Sequence, residues 1–203
     1  MVFPFSEFLK GTLSPYVLKI KDLYSSMDAA YARAAEYYGF RCGGCSESCC
    51  EERFYHYTIA EHLYLIEGMD SLDRETAGEV LVRAEGAVGL YRLHDLRGGP
   101  ERVPCPLNFN SLCRLYEYRP MICRLHGIPH RLRKPGGSEQ TGPGCRRFAE
   151  EIATAGLSEP MFDRTEYYSG MAALEIELRR LVNFNGRCRK TVAEMVIAPK
   201  DNG

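Results

Sequence analysis

The chain has 203 residues, 45% of them hydrophobic, and a formal net charge of −1. A nearly neutral chain has no overall field that attracts nucleic acid or anionic membranes, so we expect neither as a partner. There is no run of about 18 apolar residues, so we expect no membrane-spanning helix. The amino terminus lacks a basic stretch followed by an apolar one, which predicts no secretory signal and a cytoplasmic location.

Nine cysteines are the unusual feature of the composition. Structural disulfides are rare in the reducing cytoplasm, and an odd number of cysteines fits a disulfide framework poorly. Metal or redox chemistry is the preferred interpretation, and structural disulfides are the alternative. Eight cysteines fall into two groups, and we predict that they ligate a metal centre: Cys42, Cys45, Cys49, Cys50, Cys105, Cys113, Cys123 and Cys145.

The first predicted element is a helix over residues 15–38. Ser14 can cap it, Pro15 suits its first turn and Gly39 suits its carboxyl end. Its apolar residues recur at helical spacing, which core packing explains. The segment 41–50 that follows is predicted to be a loop whose glycines let the backbone fold tightly around a ligand.

Two further helices are predicted between the two cysteine groups. The first begins near Thr58, where Glu61 three residues later completes the pattern of a capping box. The second covers residues 71–93 and has apolar side chains at helical spacing along one face. Gly86 and Gly89 lie within this second helix and weaken the prediction for its carboxyl-terminal half.

The second cysteine region, residues 104–144, is rich in Pro, Gly, Asn and Arg. We expect turns, a short helical piece near 111–118, a small hairpin and a mobile loop over 138–144. An amphipathic piece over 146–155 follows, then a long helix over 164–182 with Asp163 and Glu166 as cap signals. A short terminal helix or a tail over 191–197 ends the pattern.

Together these elements predict a mainly α fold. We expect one small helical metal-binding domain over 1–203, with its two irregular cysteine-rich loops organised around a metal centre. About 40 irregular residues are too many for a compact domain unless something organises them, and a metal centre would do so.

The spacing of the first cysteine group is typical of a metal site. Two residues between Cys42 and Cys45 let both thiolates face one ion, and Cys49 lies within reach of the same centre. Neighbouring side chains diverge, so we expect one of Cys49 and Cys50 to ligate while the other packs or serves a second centre. The second group is spaced more widely.

Zinc and iron–sulfur clusters both take thiolate ligands. Structural zinc sites usually contain two tight pairs of ligands, whereas only Cys42 and Cys45 form such a cysteine pair here. Ligands from three loops therefore favour an iron–sulfur cluster over zinc. His126 or His130 could complete a zinc site, but Pro129 breaks any helix that would place both imidazoles on one face.

Three pieces of sequence occur together: a Cys-x2-Cys-x3-Cys-Cys block at 42–50, a Thr-x2-Glu helix start at 58–61, and the segment CRLYEYRPMICR at 113–124. Together they resemble a bacterial family of zinc- or iron-chelating domains, the YkgJ-type cysteine-cluster proteins. The resemblance covers about residues 42–145 and leaves the helical flanks 1–41 and 146–203 outside it. It implies that the cysteines form a metal centre, and it does not specify a reaction.

Three functions are compatible with these features. The preferred one is an iron–sulfur protein with a [4Fe–4S] cluster, acting as a redox or accessory protein with an unidentified protein partner. The alternative is a structural zinc module whose metal holds an interaction surface together. The third is a metal- or cluster-dependent protein-modifying enzyme, with candidate acids and bases Glu61, His126 and Tyr116.

Two further sets of residues bear on the chemistry. Arg119 and Arg124 flank Cys123, and cations there would offset the negative charge of a thiolate cluster, although they could equally bind surface carboxylates. Cys188 stands apart from the other cysteines between Arg187 and Arg189–Lys190. We expect it to be an incidental surface thiol, or alternatively one whose pKa the neighbouring positive charges lower.

Overall fold

The computed structural model describes residues 10–41, 49–97, 102–151 and 162–197. Within these ranges the helices are α1 Lys10–Tyr37, α2 Ile59–Asp70, α3 Arg74–Arg97, α4 Met121–Leu125, α5 Arg146–Glu151, α6 Thr165–Leu181 and α7 Val192–Val196. The strands are β1 Asn108–Phe109, β2 Leu112–Cys113, β3 His130–Arg133, β4 Glu139–Gly142 and β5 Phe162–Asp163. Short 3₁₀ turns lie at Cys49–Glu51 and Tyr116–Tyr118. The prediction of a mainly helical fold is confirmed. None of the helices in these ranges is both long and apolar enough to cross a membrane.

Helix α1 begins earlier than the sequence predicts. It runs from Lys10 for 28 residues, so Pro15 lies inside it and Ser14 is not its cap. Pro15 lacks the N–H that would donate to the Gly11 carbonyl, a loss that is tolerated best near the start of a helix. The helix packs against α2, α4 and α6 with a buried face that includes Leu13, Ile20, Tyr24 and Met27.

Helix α2 is buried over most of its length. Thr58 caps it as predicted, because its Oγ1 accepts the N–H of Glu61 at 3.1 Å. The N–H groups of Ile59 and Ala60 donate to the carboxylate of Glu175 on α6 at 3.1 and 3.0 Å. A side chain from another helix thus satisfies the donors at a buried helix terminus.

Helices α3 and α7 form a second packing unit. Helix α3 continues through Gly86 and Gly89 to Arg97 and ends later than predicted. The predicted short terminal helix is α7, and Thr191 and Glu194 form its capping box. Helix α7 packs between α2 and α3 and completes a core cluster distinct from that around α1, α2 and α6: Leu65, Val80, Ala84, Val88, Tyr91 and Met195.

The second cysteine region contains two small sheets. Strands β1 and β2 form the predicted hairpin, which is antiparallel, and β3 pairs antiparallel with β4 and parallel with β5. Strand β4 occupies most of the segment 138–144, so the prediction of a mobile loop there is wrong. Gly142 pairs with His130, and a Cβ on Gly142 would lie 2.3 Å from the imidazole. The glycine that suggested a loop is instead required by the close approach of a side chain within the sheet.

Candidate metal centre

Consecutive backbone hydrogen bonds connect Cys50, Cys105 and Cys113. The N–H of Cys105 donates to the carbonyl of Cys50 at 2.7 Å, and the N–H of Asn108 donates to the carbonyl of Cys105 at 2.9 Å. Asn108 is the strand partner of Cys113 in the β1–β2 hairpin. The 3₁₀ turn that ends the first cysteine group is therefore held against the start of the second.

Cys123 lies on α4, a helix that sequence reasoning missed. Five residues are too few for a hydrophobic period, and the available signal was Pro120, which precedes the first turn. The Oε1 atom of Glu61 accepts the N–H of Met121 at 3.1 Å. A carboxylate at this end of a helix satisfies a free donor and interacts favourably with the helix dipole. Glu61 thus connects α2 to the helix that carries Cys123.

Four thiols, those of Cys50, Cys105, Cys113 and Cys123, lie close enough to affect one another's ionisation. Burial, with a smaller effect of the Cys113 and Cys50 thiols, raises the pKa of Cys105 to about 12. Burial and then the other three thiols raise the pKa of Cys123 well above its usual value. Burial also raises the pKa of Cys113, and Cys50 adds to the effect. Neighbouring negative charges oppose ionisation, so these effects place the four thiols within electrostatic range of one another.

Two arginines lie beside this group. Positive charge on Arg119 favours the thiolate forms of Cys113 and Cys123, and Arg124 does the same for Cys113. Arg124 is buried, donates to the carbonyl of Arg119 at 2.8 Å and pairs with Asp28. Arg119 lies 3.7 Å from the same carboxylate. Both arginines therefore favour ionisation of the neighbouring thiols, against the larger effect of burial, and also pair with a carboxylate.

Cys145 is placed differently from these four cysteines. Its N–H donates to the carbonyl of Gly127 at 2.9 Å, and its Sγ accepts the N–H of Phe148 at 3.4 Å. The side chain packs with the cluster around α1, whereas Cys105 and Cys113 pack against the cluster around α3 and α7. Its contacts are those of a residue that starts α5.

The remaining predicted ligands belong to the first cysteine group. Cys49 shares a 3₁₀ turn with Cys50, and Cys42 and Cys45 lie outside the described residues. In the part of the chain that the structure describes, no group of three or more His, Cys, Asp or Glu side chains is arranged to hold a metal ion. Ligation of a metal by the eight cysteines therefore stays a prediction.

The two histidines considered as zinc ligands both have lowered pKa values. Burial and then Arg164 lower the pKa of His126, whose ring centroid lies 5.3 Å from that of Phe54. His130 lies on β3, and burial lowers its pKa to about 4. Neither belongs to a metal-binding group within the described ranges.

His56 is a partner of Glu61 that sequence reasoning missed. Its buried Nδ1 lies 3.6 Å from Oε1 of Glu61, and the Thr58 hydroxyl donates to Oε2 at 2.8 Å. Burial opposes ionisation of Glu61, but His56, Thr58 and the N–H of Met121 hold its pKa below the usual value. A backbone bridge to Lys190 holds His56 in place, so a contact between distant segments, which leaves no local sequence signal, creates the pair.

The prediction of Cys188 as a surface thiol is wrong, and so is that of a lowered pKa. The side chain is buried, and burial raises its pKa to about 11. The carboxylates of Glu175 and Glu61 raise it as well, against the opposing charges of Lys190 and Arg179. A buried thiol with a raised pKa is a packing residue rather than a nucleophile.

The fold and the site together define a helical domain in which four cysteines from separate segments are grouped beside two arginines. Comparison of the chain with family models, with curated proteins and with solved structures finds no match.

Proposed function

We propose that the chain is a cysteine-ligated metal protein, and that it carries a [4Fe–4S] cluster in a redox or accessory role. The observation that supports this most strongly is the grouping of Cys50, Cys105, Cys113 and Cys123. Backbone hydrogen bonds hold the first three together, and a buried carboxylate connects the helix of the fourth to α2. Four cysteine thiolates are the usual ligands of such a cluster.

The surroundings of the four thiols suit a cluster. Arg119 and Arg124 would offset the negative charge that four thiolates bring, and positive charge near a cluster raises its reduction potential. The Glu61 carboxylate would hold α4 in position from outside the ligand set. When bound, the cluster would supply one-electron transfer, and the chain's own residues would bind and tune it. Membership of the YkgJ-type family and a cytoplasmic location are part of the same proposal.

Cys42, Cys45 and Cys49 are proposed as ligands of the same centre or of a second one. Their short spacing is the part of the sequence that resembles a metal site most closely. Cys145 has the least support, because its hydrogen bonds with Gly127 and Phe148 place it at the start of α5.

Metal and sulfide analysis of anaerobically purified protein, with electron paramagnetic resonance after reduction, tests the proposal. We expect a brown protein with about four iron and four sulfide per cluster. A colourless protein that contains about one or two zinc ions per chain would replace the cluster by a structural zinc site and keep the cysteine ligation. A folded protein without bound metal would overturn both forms of the proposal.

A serine substitution tests the assignment of Cys123. We expect Cys123→Ser to lose most of the bound metal, because hydroxyl oxygen is a poor replacement for thiolate in such centres. Cys188→Ala, at the buried cysteine outside the predicted ligand set, is the control and should retain it. Equal metal loss in both variants would show that the loss comes from general instability and would contradict the assignment.

A further inference from the structure

Helix α3 presents an apolar face on the side opposite its buried residues. Val82, Leu90, Leu93 and Leu96 are 69%, 50%, 44% and 85% exposed. They recur at helical spacing, while Val80, Ala84 and Val88 point into the core. A surface helix normally carries polar residues on its outer side, so the packing of the described residues does not explain this apolar face.

Three glycines share the outer side of α3. Gly78, Gly86 and Gly89 are exposed, and a Cβ on any of them would meet nothing within 4 Å in the described part of the chain. Each glycine in a helix interior destabilises it by about 1 kcal/mol relative to alanine. The packing of the described residues does not require glycine at these positions, whereas the close approach of a second helix backbone would require it.

After Arg74 and Glu75 in its first turn, the charges along this side of α3 change from acidic to basic. Glu79 and Glu85 lie in its first half, and Arg92 and Arg97 lie in its last turns. All four side chains are exposed. A parallel copy of the helix would place like charges together, whereas an antiparallel copy would place acidic residues against basic ones.

The helical positions select one antiparallel register. With the two-fold axis near Val88, Glu79 faces Arg97 along one edge of the face and Glu85 faces Arg92 along the other. Val82 then packs against Leu93 and Leu96 of the second copy. Gly86 and Gly89 lie beside the axis, where the two backbones come closest.

We propose that this face of α3 binds a second copy of the chain to form an antiparallel, two-fold symmetric dimer that crosses at Gly86 and Gly89. The two halves of the face are complementary in charge, and the large apolar side chains flank the glycines. A symmetric partner presents the same surface, so one helix supplies both sides of the contact. The proposal is independent of the metal centre.

Sedimentation of the 203-residue chain over a range of concentrations tests the dimer. We expect a reversible dimer, and Glu85→Arg or Arg92→Glu should each weaken it by about tenfold, since each substitution acts twice in a symmetric contact. The double variant Glu85→Arg, Arg92→Glu should restore wild-type dimerisation. A chain that stays monomeric throughout, or a double variant as weak as the single ones, would overturn the proposal.

Alanine substitutions provide a second measurement that does not depend on charge. Gly86→Ala and Gly89→Ala should raise the helix propensity of α3 and yet weaken the dimer, because a methyl group would separate the backbones. Gly11→Ala is the matched control, at an exposed glycine of α1 whose Cβ would meet none of the described residues within 4 Å, and it should leave the dimer unchanged. A dimer that all three substitutions leave equally strong would contradict the crossing point.

Discussion

At the scale of single residues, two neighbouring ionisable side chains of α2 are buried, one in its ionised form and the other in its neutral form. Glu61 has a lowered pKa and is ionised at neutral pH. Burial, and then the charge of Lys190, lower the pKa of His62 to about 3, so this histidine is neutral. Its Nε2 lies 2.7 Å from the carbonyl of Met195, to which a protonated nitrogen donates. The neutral tautomer is thus held by a contact with α7.

The buried His62 predicts a loss of stability in acid. The pKa of an unfolded histidine is about 6.5, so between that pH and about 3 the unfolded chain binds a proton that the folded chain does not. The free energy of unfolding should therefore fall as the pH falls, by up to about 1.4 kcal/mol per pH unit from this residue. His62→Gln removes the titration, and urea unfolding between about pH 7 and 5 should show a shallower slope. An unchanged slope would contradict this account.

The buried Glu61 predicts a mechanical link between α2 and α4. Glu61→Ala leaves the N–H of Met121 without its acceptor and should lower the free energy of unfolding by about 1–3 kcal/mol. Glu61→Gln keeps one acceptor oxygen and should be less harmful. Glu36→Ala, at an exposed glutamate of α1, is the control and should change stability little. Urea unfolding measures all three, and equal effects of the two alanine variants would argue against the link.

At the scale of elements, Gly68 allows α2 to approach Tyr118. A Cβ on Gly68 would lie 2.5 Å from the Tyr118 ring, whereas one on Gly11 in α1 would meet no atom of the described residues within 4 Å. We expect Gly68→Ala to destabilise the protein by about 1–3 kcal/mol through overpacking. Gly11→Ala should stabilise it by up to about 1 kcal/mol through helix propensity. Thermal unfolding should show shifts of opposite sign, and shifts of the same sign would refute the packing argument.

The elements that the sequence predicts correctly are those with long local patterns. The cap at Thr58 and the periods of the long helices depend on residues close in sequence. Helix α4 was missed because five residues carry no period, and β4 was missed because its pairing with β3 is a contact between segments. The sequence predicts a helix start at Pro15 because proline favours the first turn of a helix, but in the structure Pro15 is the sixth residue of α1.

The sequence identifies the cysteines of the candidate site, but it predicts only part of their arrangement. The cysteines are conspicuous in the sequence, but which of them share a group depends on the hairpin, on α4 and on the 3₁₀ turn at 49–51. Short sequence spacing favoured Cys42, Cys45 and Cys49. The structure instead groups Cys50 with cysteines 55 or more positions later. The His56–Glu61 pair likewise arises from a bridge between segments far apart in sequence.

At the scale of the whole molecule, the cluster around α3 depends on α7. Met195 is fully buried between α2 and α3, and we expect Met195→Ala to lower the free energy of unfolding by about 2–4 kcal/mol. Leu18→Ala, at a mostly exposed leucine of α1, is the control and should change it by less than about 0.5 kcal/mol. Chemical unfolding provides the comparison. Similar losses in the two variants would show that α7 contributes little to the core.

The position of α7 also has a consequence for how the protein forms during synthesis. The inner face of α3 and the end of α2 are translated about a hundred residues before Val192–Val196, which cover them. Until that last helix leaves the ribosome, Leu65, Val80 and Ala84 lack a covering layer, and His62 lacks its carbonyl acceptor. The nascent chain therefore exposes this part of its core while about a hundred further residues are translated, a stage at which a chaperone would recognise it.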